Sequence, residues 1–163
     1  MKYKIYIVSL VMILVAFASG CGNEESQEEQ VTHRADNGDL RELTADASTS
    51  PDFLNEKDET IQVIYELAPH YKQVLESVPC YCGCGESAGH RDNYDCFVHE
   101  NKEDGGIVWD DHGTRCGVCL EIAASSMQMS KDGKSLKEIR DSIDSKYNNS
   151  DYAKPTPTPM PEA

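Results

Sequence analysis

Three thiols fall within five residues in the stretch Pro79-Cys80-Tyr81-Cys82-Gly83-Cys84-Gly85, and this stretch constrains the fold more than any other. Residues two apart on an extended chain share a face, so Cys80, Cys82 and Cys84 line one side if the segment is straight. If the two glycines curl it, the sulfurs converge. Cys96, Cys116 and Cys119 follow, with His90, His99 and His112 interleaved among them. The domain must therefore close around a thiol-rich centre, and the open question is what the sulfurs bond to.

Tetrahedral Zn(II) accepts four thiolates, and short-gap cysteine pairs set its bite angle. Cys116-Gly117-Val118-Cys119 has the usual two-residue gap at an expected helix start, whereas the one-residue gaps of Cys80-Tyr81-Cys82-Gly83-Cys84 are tighter than a zinc knuckle. Closely spaced thiolates also suit Cu(I), which takes two or three sulfurs and tolerates clusters. Six thiolates and three histidines exceed one tetrahedral site, so two ions or a thiolate-bridged cluster would be needed to use them all. The candidate ligands are Cys80, Cys82, Cys84, Cys96, Cys116 and Cys119, joined by His90 and His112 from glycine-rich loops. His99 beside Glu100 reads as exposed, His70 as structural, and Arg91 and Arg115 as cations able to offset thiolate charge.

Two competing readings use the same thiols. Outside the cytoplasm, six cysteines pair evenly into three disulfides, which would make the domain a stapled interaction module. Cys116 and Cys119 at a helix N-terminus also fit a redox pair, although no thioredoxin-like strand pattern precedes them. No serine–histidine–aspartate order, phosphate loop or paired-carboxylate motif stands out, and no catalytic residue is assigned.

Location follows from the N-terminus. Lys2 and Lys4 precede an apolar run from Ile5 to Phe17, then Ala18-Ser19-Gly20-Cys21, the layout of a secretory leader over residues 1–20. Small residues before a cysteine resemble the bacterial lipobox, which implies that Cys21 is lipidated and anchors the chain to the outer face of the cell membrane. Residues 21–55 are polar and acidic and read as a disordered tether, with Leu40-Arg41-Glu42-Leu43 as a lone helical hint. The formal charge is −14, and loss of Lys2 and Lys4 with the leader takes it to −16. That balance argues against a nucleic-acid partner.

The domain itself is placed at 56–148. Apolar residues are 39% and aromatics 7%, which leaves a small core in need of a staple or a metal. Ile61, Ile64, Tyr65, Ala68, Tyr71, Lys72 and Leu75 share one helical face, broken or kinked at Pro69. Residues 84–111 show no period and predict a loop with a short hairpin through Gly105-Gly106-Ile107-Val108-Trp109. A helix follows from Cys116 to Met129, and another begins at the Ser135/Glu138 capping box and runs to Tyr147. The expected class is mainly α: a small helical domain with irregular cysteine-rich loops. A disordered N-terminal tether flanks it on one side and a proline-rich tail, 149–163, on the other.

Pro79 to Cys84 resembles the signature of the bacterial PCYCGC-motif lipoproteins. The resemblance extends through Gly85 to His90, Asp95-Cys96-Phe97, His112 to Cys119 and Gly133-Lys134-Ser135 with Glu138-Ile139-Arg140, roughly Leu67 to Tyr147. It implies a lipid-anchored surface protein of Gram-positive bacteria and names no activity. Taken with the thiol spacing, the expected function is capture, buffering or delivery of Zn(II) or Cu(I).

Overall fold

The computed structural model describes residues 32–148 and 151–162. The leader, Cys21 and the first part of the acidic segment lie outside the described residues. Two short strands, β1 (Thr32–Arg34) and β2 (Leu40–Thr44), form a hairpin. A 3-10 turn at Asp52–Leu54 leads into α1 (Glu59–Leu67), a second 3-10 turn at Ala68–Tyr71 and α2 (Lys72–Glu76). After the cysteine loop come the single turn α3 (Gly85–Ala88), a 3-10 turn at Tyr94–Cys96, and strands β3 (Val98–Asn101) and β4 (Ile107–Asp110). A 3-10 turn at Asp111–Arg115 then enters α4 (Gly117–Lys131), and α5 (Leu136–Tyr147) packs against α4.

The four strands make one antiparallel sheet in the order β1-β2-β4-β3. The chain is therefore mixed α/β, and the expectation of a mainly α domain with a disordered tether is corrected. Leu40–Leu43 is a central strand paired to Ile107–Asp110, with Arg41 opposite Asp110 and Leu43 opposite Val108. Its burial alternates, with Glu42 and Thr44 buried and Arg41 and Leu43 half-buried, as in a sheet with one face more fully covered, although its sequence does not alternate apolar with charged residues. Glu42, on the covered face, is 2% exposed, and its carboxylate accepts the backbone N–H groups of Asp52 and Phe53. Burial still pushes its pKa up.

Two apolar clusters hold the layers together. The larger one joins Ile64, Tyr65 and Leu75 to Phe97, Val98, Ile107 and Trp109, and it includes Cys80, Cys96 and Cys119. The Tyr65 hydroxyl donates to the Asp110 carbonyl at 2.7 Å, and Trp109 Nε1 donates to Thr44 Oγ1 at 2.8 Å, so each buried ring keeps its polar atom satisfied. The smaller cluster packs Val74, Val78 and Tyr81 against Ile122, Ile139, Ile143 and Tyr147. Pro69 lies in the 3-10 turn separating α1 from α2, where a missing N–H and the ring prevent a continuous helix. At the start of α5 the Ser135 side chain accepts from Glu138 N–H while the Glu138 carboxylate accepts from Ser135 N–H.

The proline-rich tail is part of this body. Thr156 N–H donates to the Cys80 carbonyl at 3.0 Å, and Cys80 N–H donates to Thr156 Oγ1 at 2.9 Å. Arg140 holds the next residues, donating to the carbonyls of Thr158 and Pro159 at 3.1 and 3.0 Å. Among the described residues no helix is long and apolar enough to cross a membrane.

Candidate metal centre

The cysteine loop is shaped by its glycines and by the tail. Gly83 adopts φ +80°, a left-handed conformation that breaks the alternation of an extended chain. The loop therefore curls after Cys82, and Cys84 N–H folds back to the Cys82 sulfur at 3.2 Å. Gly85 is needed for space: a Cβ there would lie 2.4 Å from Thr156 Cγ2. Cys96 closes its 3-10 turn fully buried, and Cys116 and Cys119 sit at the N-cap and third position of α4. The positive end of that helix favours thiolates.

Five sulfurs meet around Cys119. Its Sγ lies 3.1 Å from Cys80 Sγ and 3.3 Å from Cys96 Sγ, and it also hydrogen-bonds the thiols of Cys82 and Cys116. Four sets of donors among the described residues have their ligand atoms within 4.8 Å of one another: two contain sulfur, Cys80 with Cys96 and Cys119, and Cys82 with His112 and Cys119, and two centre on Asp39, with His90 and His112 and with Asp110 and Asp111. His90 approaches through Cys96, with Nδ1 at 3.6 Å from the sulfur. The two imidazole rings stand edge to face, centroids 4.6 Å apart.

The electrostatics are those of a crowded anion site. Hydrogen bonds from Cys116 and Cys119 pull the Cys82 pKa down to about 4. Cys96 is lowered by Cys119 and Cys80. The Cys119 thiol, buried among the other four sulfurs, is pushed far up, Cys116 being the largest cause. His112 is raised to about 9, chiefly by the neighbouring Cys82, with Asp39 adding to the shift. His90 is lowered by burial and by the neighbouring His112. Without a cation the cluster thus holds protons and one imidazolium to offset its charge, and a metal ion would displace them.

Asp39 completes the arrangement. Both its carboxylate oxygens lie 3.2 Å from His112 Nδ1, and Arg115 pairs with the same carboxylate and with Asp111. With Nδ1 committed to Asp39, the nitrogen left for a metal is Nε2, a buried atom without a hydrogen-bond partner of its own. A carboxylate behind a ligating histidine is the usual way of fixing its tautomer. His90 Nε2 is likewise buried and unpartnered.

Of the eight candidate ligands, the structure gathers Cys80, Cys82, Cys96, Cys116, Cys119, His90 and His112. Cys84 is placed differently: its sulfur faces the Cys82 carbonyl at 3.8 Å and belongs to none of the donor sets. Burial and the nearby Cys82 push its pKa up to about 11. Arg91 pairs with Asp95 at 2.7 Å and Arg115 with carboxylates, so neither touches a sulfur. His99 and His70 are exposed. Asp39 and Thr156 escaped the sequence reading. Asn37-Gly38 was the signal for the first, because an Asn-Gly pair between short runs marks a hairpin and would have placed Asp39 on an ordered turn.

The donor set fits a soft or borderline ion. Tetrahedral Zn(II) with Zn–S near 2.3 Å and Zn–N near 2.05 Å has edges of about 3.8 Å between sulfurs and about 3.6 Å between sulfur and nitrogen. The Cys96–His90 separation of 3.6 Å equals such an edge, and the Cys119 contacts of 3.1 and 3.3 Å need to open by about half an ångström.

Searches of curated proteins and of solved structures returned no match. A family model described as a protein of unknown function with PCYCGC motif matches residues 10–161. The motif, Pro79 to Cys84, supplies two of the five clustered sulfurs, and the match covers every strand and helix described above. The chain belongs to the PCYCGC-motif family.

Proposed function

We propose that this protein binds Zn(II) or Cu(I) through its cysteine cluster and serves to capture, buffer or deliver the ion at the outer face of the cell membrane, held there by a lipid on Cys21. One observation carries the metal reading: the Cys119 sulfur is in contact with four other sulfurs at once. A sulfur forms one disulfide, so three independent pairs do not call for five sulfurs around a common point, whereas a cation does. Buried imidazole nitrogens beside the sulfurs favour Zn(II), for which mixed cysteine–histidine sets are ordinary ligands. The sulfur triad of Cys80, Cys96 and Cys119 would also suit Cu(I). The leader and the small residues before Cys21 support the location.

The row Cys82, His112, Asp39 has the order of a thiol nucleophile, its base and an orienting carboxylate. Four further sulfurs within the same cluster, those of Cys80, Cys96, Cys116 and Cys119, would compete as ligands and nucleophiles, and for that reason the metal reading is preferred.

The test is the metal content and intact mass of the chain purified from an oxidising compartment, with thiol alkylation before and after denaturation. Bound metal at fixed stoichiometry, with alkylation appearing only after denaturation or chelation, supports the proposal. A metal-free chain six hydrogens lighter than the reduced form overturns it in favour of three disulfides.

A further inference from the structure

We infer that the centre is dinuclear, with two ions sharing the sulfur of Cys119 as a bridging thiolate; the inference rests on the metal-binding reading above and specifies its site. The two sulfur-containing donor sets, Cys80–Cys96–Cys119 and Cys82–His112–Cys119, have only Cys119 in common. Each has one further donor at its edge. His90 Nδ1 stands 3.6 Å from Cys96 of the first set, and Cys116 hydrogen-bonds both Cys82 and Cys119 of the second. Two four-coordinate ions with one common ligand require seven donors, and the five sulfurs and two imidazoles supply seven. Cys84 is left over: its sulfur faces the Cys82 carbonyl and belongs to none of the donor sets.

One ion would not satisfy this cluster. A single tetrahedral ion takes four of the seven donors and leaves three buried polar groups crowded beside it, which is costly in a low-dielectric interior. Charge selects the ion. Two Zn(II) ions with five thiolates and two neutral imidazoles leave one negative charge, whereas two Cu(I) ions leave three in a site whose Cys80, Cys96 and Cys119 are almost fully buried. Arg115, which pairs with Asp39, has no sulfur contact with which to offset that excess. The dinuclear site is therefore a Zn(II) site, three sulfurs and one nitrogen to each ion, with Asp39 behind the histidine of the second.

The experiment is titration of the reduced full chain with Zn(II), read by native mass spectrometry, and with Co(II), read by thiolate charge-transfer absorption and electron paramagnetic resonance. Wild type and Cys84→Ser are expected to bind two ions, His112→Ala and His90→Ala one, and Cys119→Ser none tightly; circular dichroism checks that each variant is folded. The Co(II) resonance should grow to one equivalent and then fall as the second ion couples through the shared sulfur. Saturation at one ion, with His112→Ala or His90→Ala unchanged, or a resonance that grows additively to two equivalents, would overturn the bridged centre and leave metal binding intact. No binding at all would remove both readings.

Discussion

His112 Nδ1 lies 3.2 Å from both carboxylate oxygens of Asp39, a residue 73 positions earlier in the chain. The contact joins the first hairpin to the turn that enters α4, and it fixes which imidazole nitrogen is free to face the sulfurs. Asp39→Asn should weaken metal affinity by roughly 10- to 100-fold, the usual cost of losing a partner behind a ligating histidine. Chelator competition measures it; an unchanged affinity would remove Asp39 from the site.

Thiol reactivity in the reduced, metal-free protein should separate two cysteines of the same loop. Cys82, held near pKa 4 by Cys116 and Cys119, is a thiolate at pH 6, whereas Cys84, raised to about 11, stays protonated. The thiolate is the nucleophile. A short pulse of iodoacetamide at pH 6, mapped by peptide mass, is expected to label Cys82 before Cys84. Prior labelling of Cys84 would contradict the hydrogen-bonding pattern around Cys82.

The tail contributes to stability through Thr156. Thr156→Val leaves the buried Cys80 N–H without its acceptor, a loss of about 1–3 kcal/mol. Gly85→Ala should weaken the same contact from the other side, since its Cβ would fall 2.4 Å from Thr156 Cγ2. Urea unfolding of the two variants and of a chain ending before Asp151 tests this. Equal midpoints for all four proteins would show the tail to be energetically idle.

Asp92 gives a pH dependence of opposite sign to the usual carboxylate. Burial, with Asp95 adding to it, raises its pKa to about 7 in the folded state from 3.8. Between those values the folded chain binds more protons than the unfolded one, so this group's contribution to stability falls as pH rises from about 4 to 7 and is flat above. Asp92→Asn keeps an oxygen able to accept from Asp95 N–H and has no charge to bury. It should stabilise the protein by up to about 4 kcal/mol at pH 8 and by little at pH 4. Thermal melts at the two pH values measure the difference, and an equal effect at both would refute the assignment.

The local features of this chain were legible in advance because they depend on near neighbours. Helical spacing from Ile61 to Leu75, the break at Pro69, the Ser135/Glu138 capping box and the hairpin near Gly105 each involve residues a few positions apart. The thiol-rich nature of the centre was equally plain, since it follows from residue type and spacing.

What the sequence by itself determined, then, was the chemistry available and the elements that carry it. The tertiary structure decided which donors meet. Leu40–Thr44 became a strand by pairing with Ile107–Asp110, and β pairing at such separation leaves only a weak local signal, because strand preference is largely the preference of a neighbouring surface. That pairing fixed the described part of the acidic segment and brought Asp39 to His112. The curl at Gly83 left the Cys84 sulfur outside the donor sets, while the packing of α4 against the loop placed Cys119 among four sulfurs. Ligand identity is a property of residues, but a coordination set is a property of distances, and those are set by contacts between segments far apart in the chain.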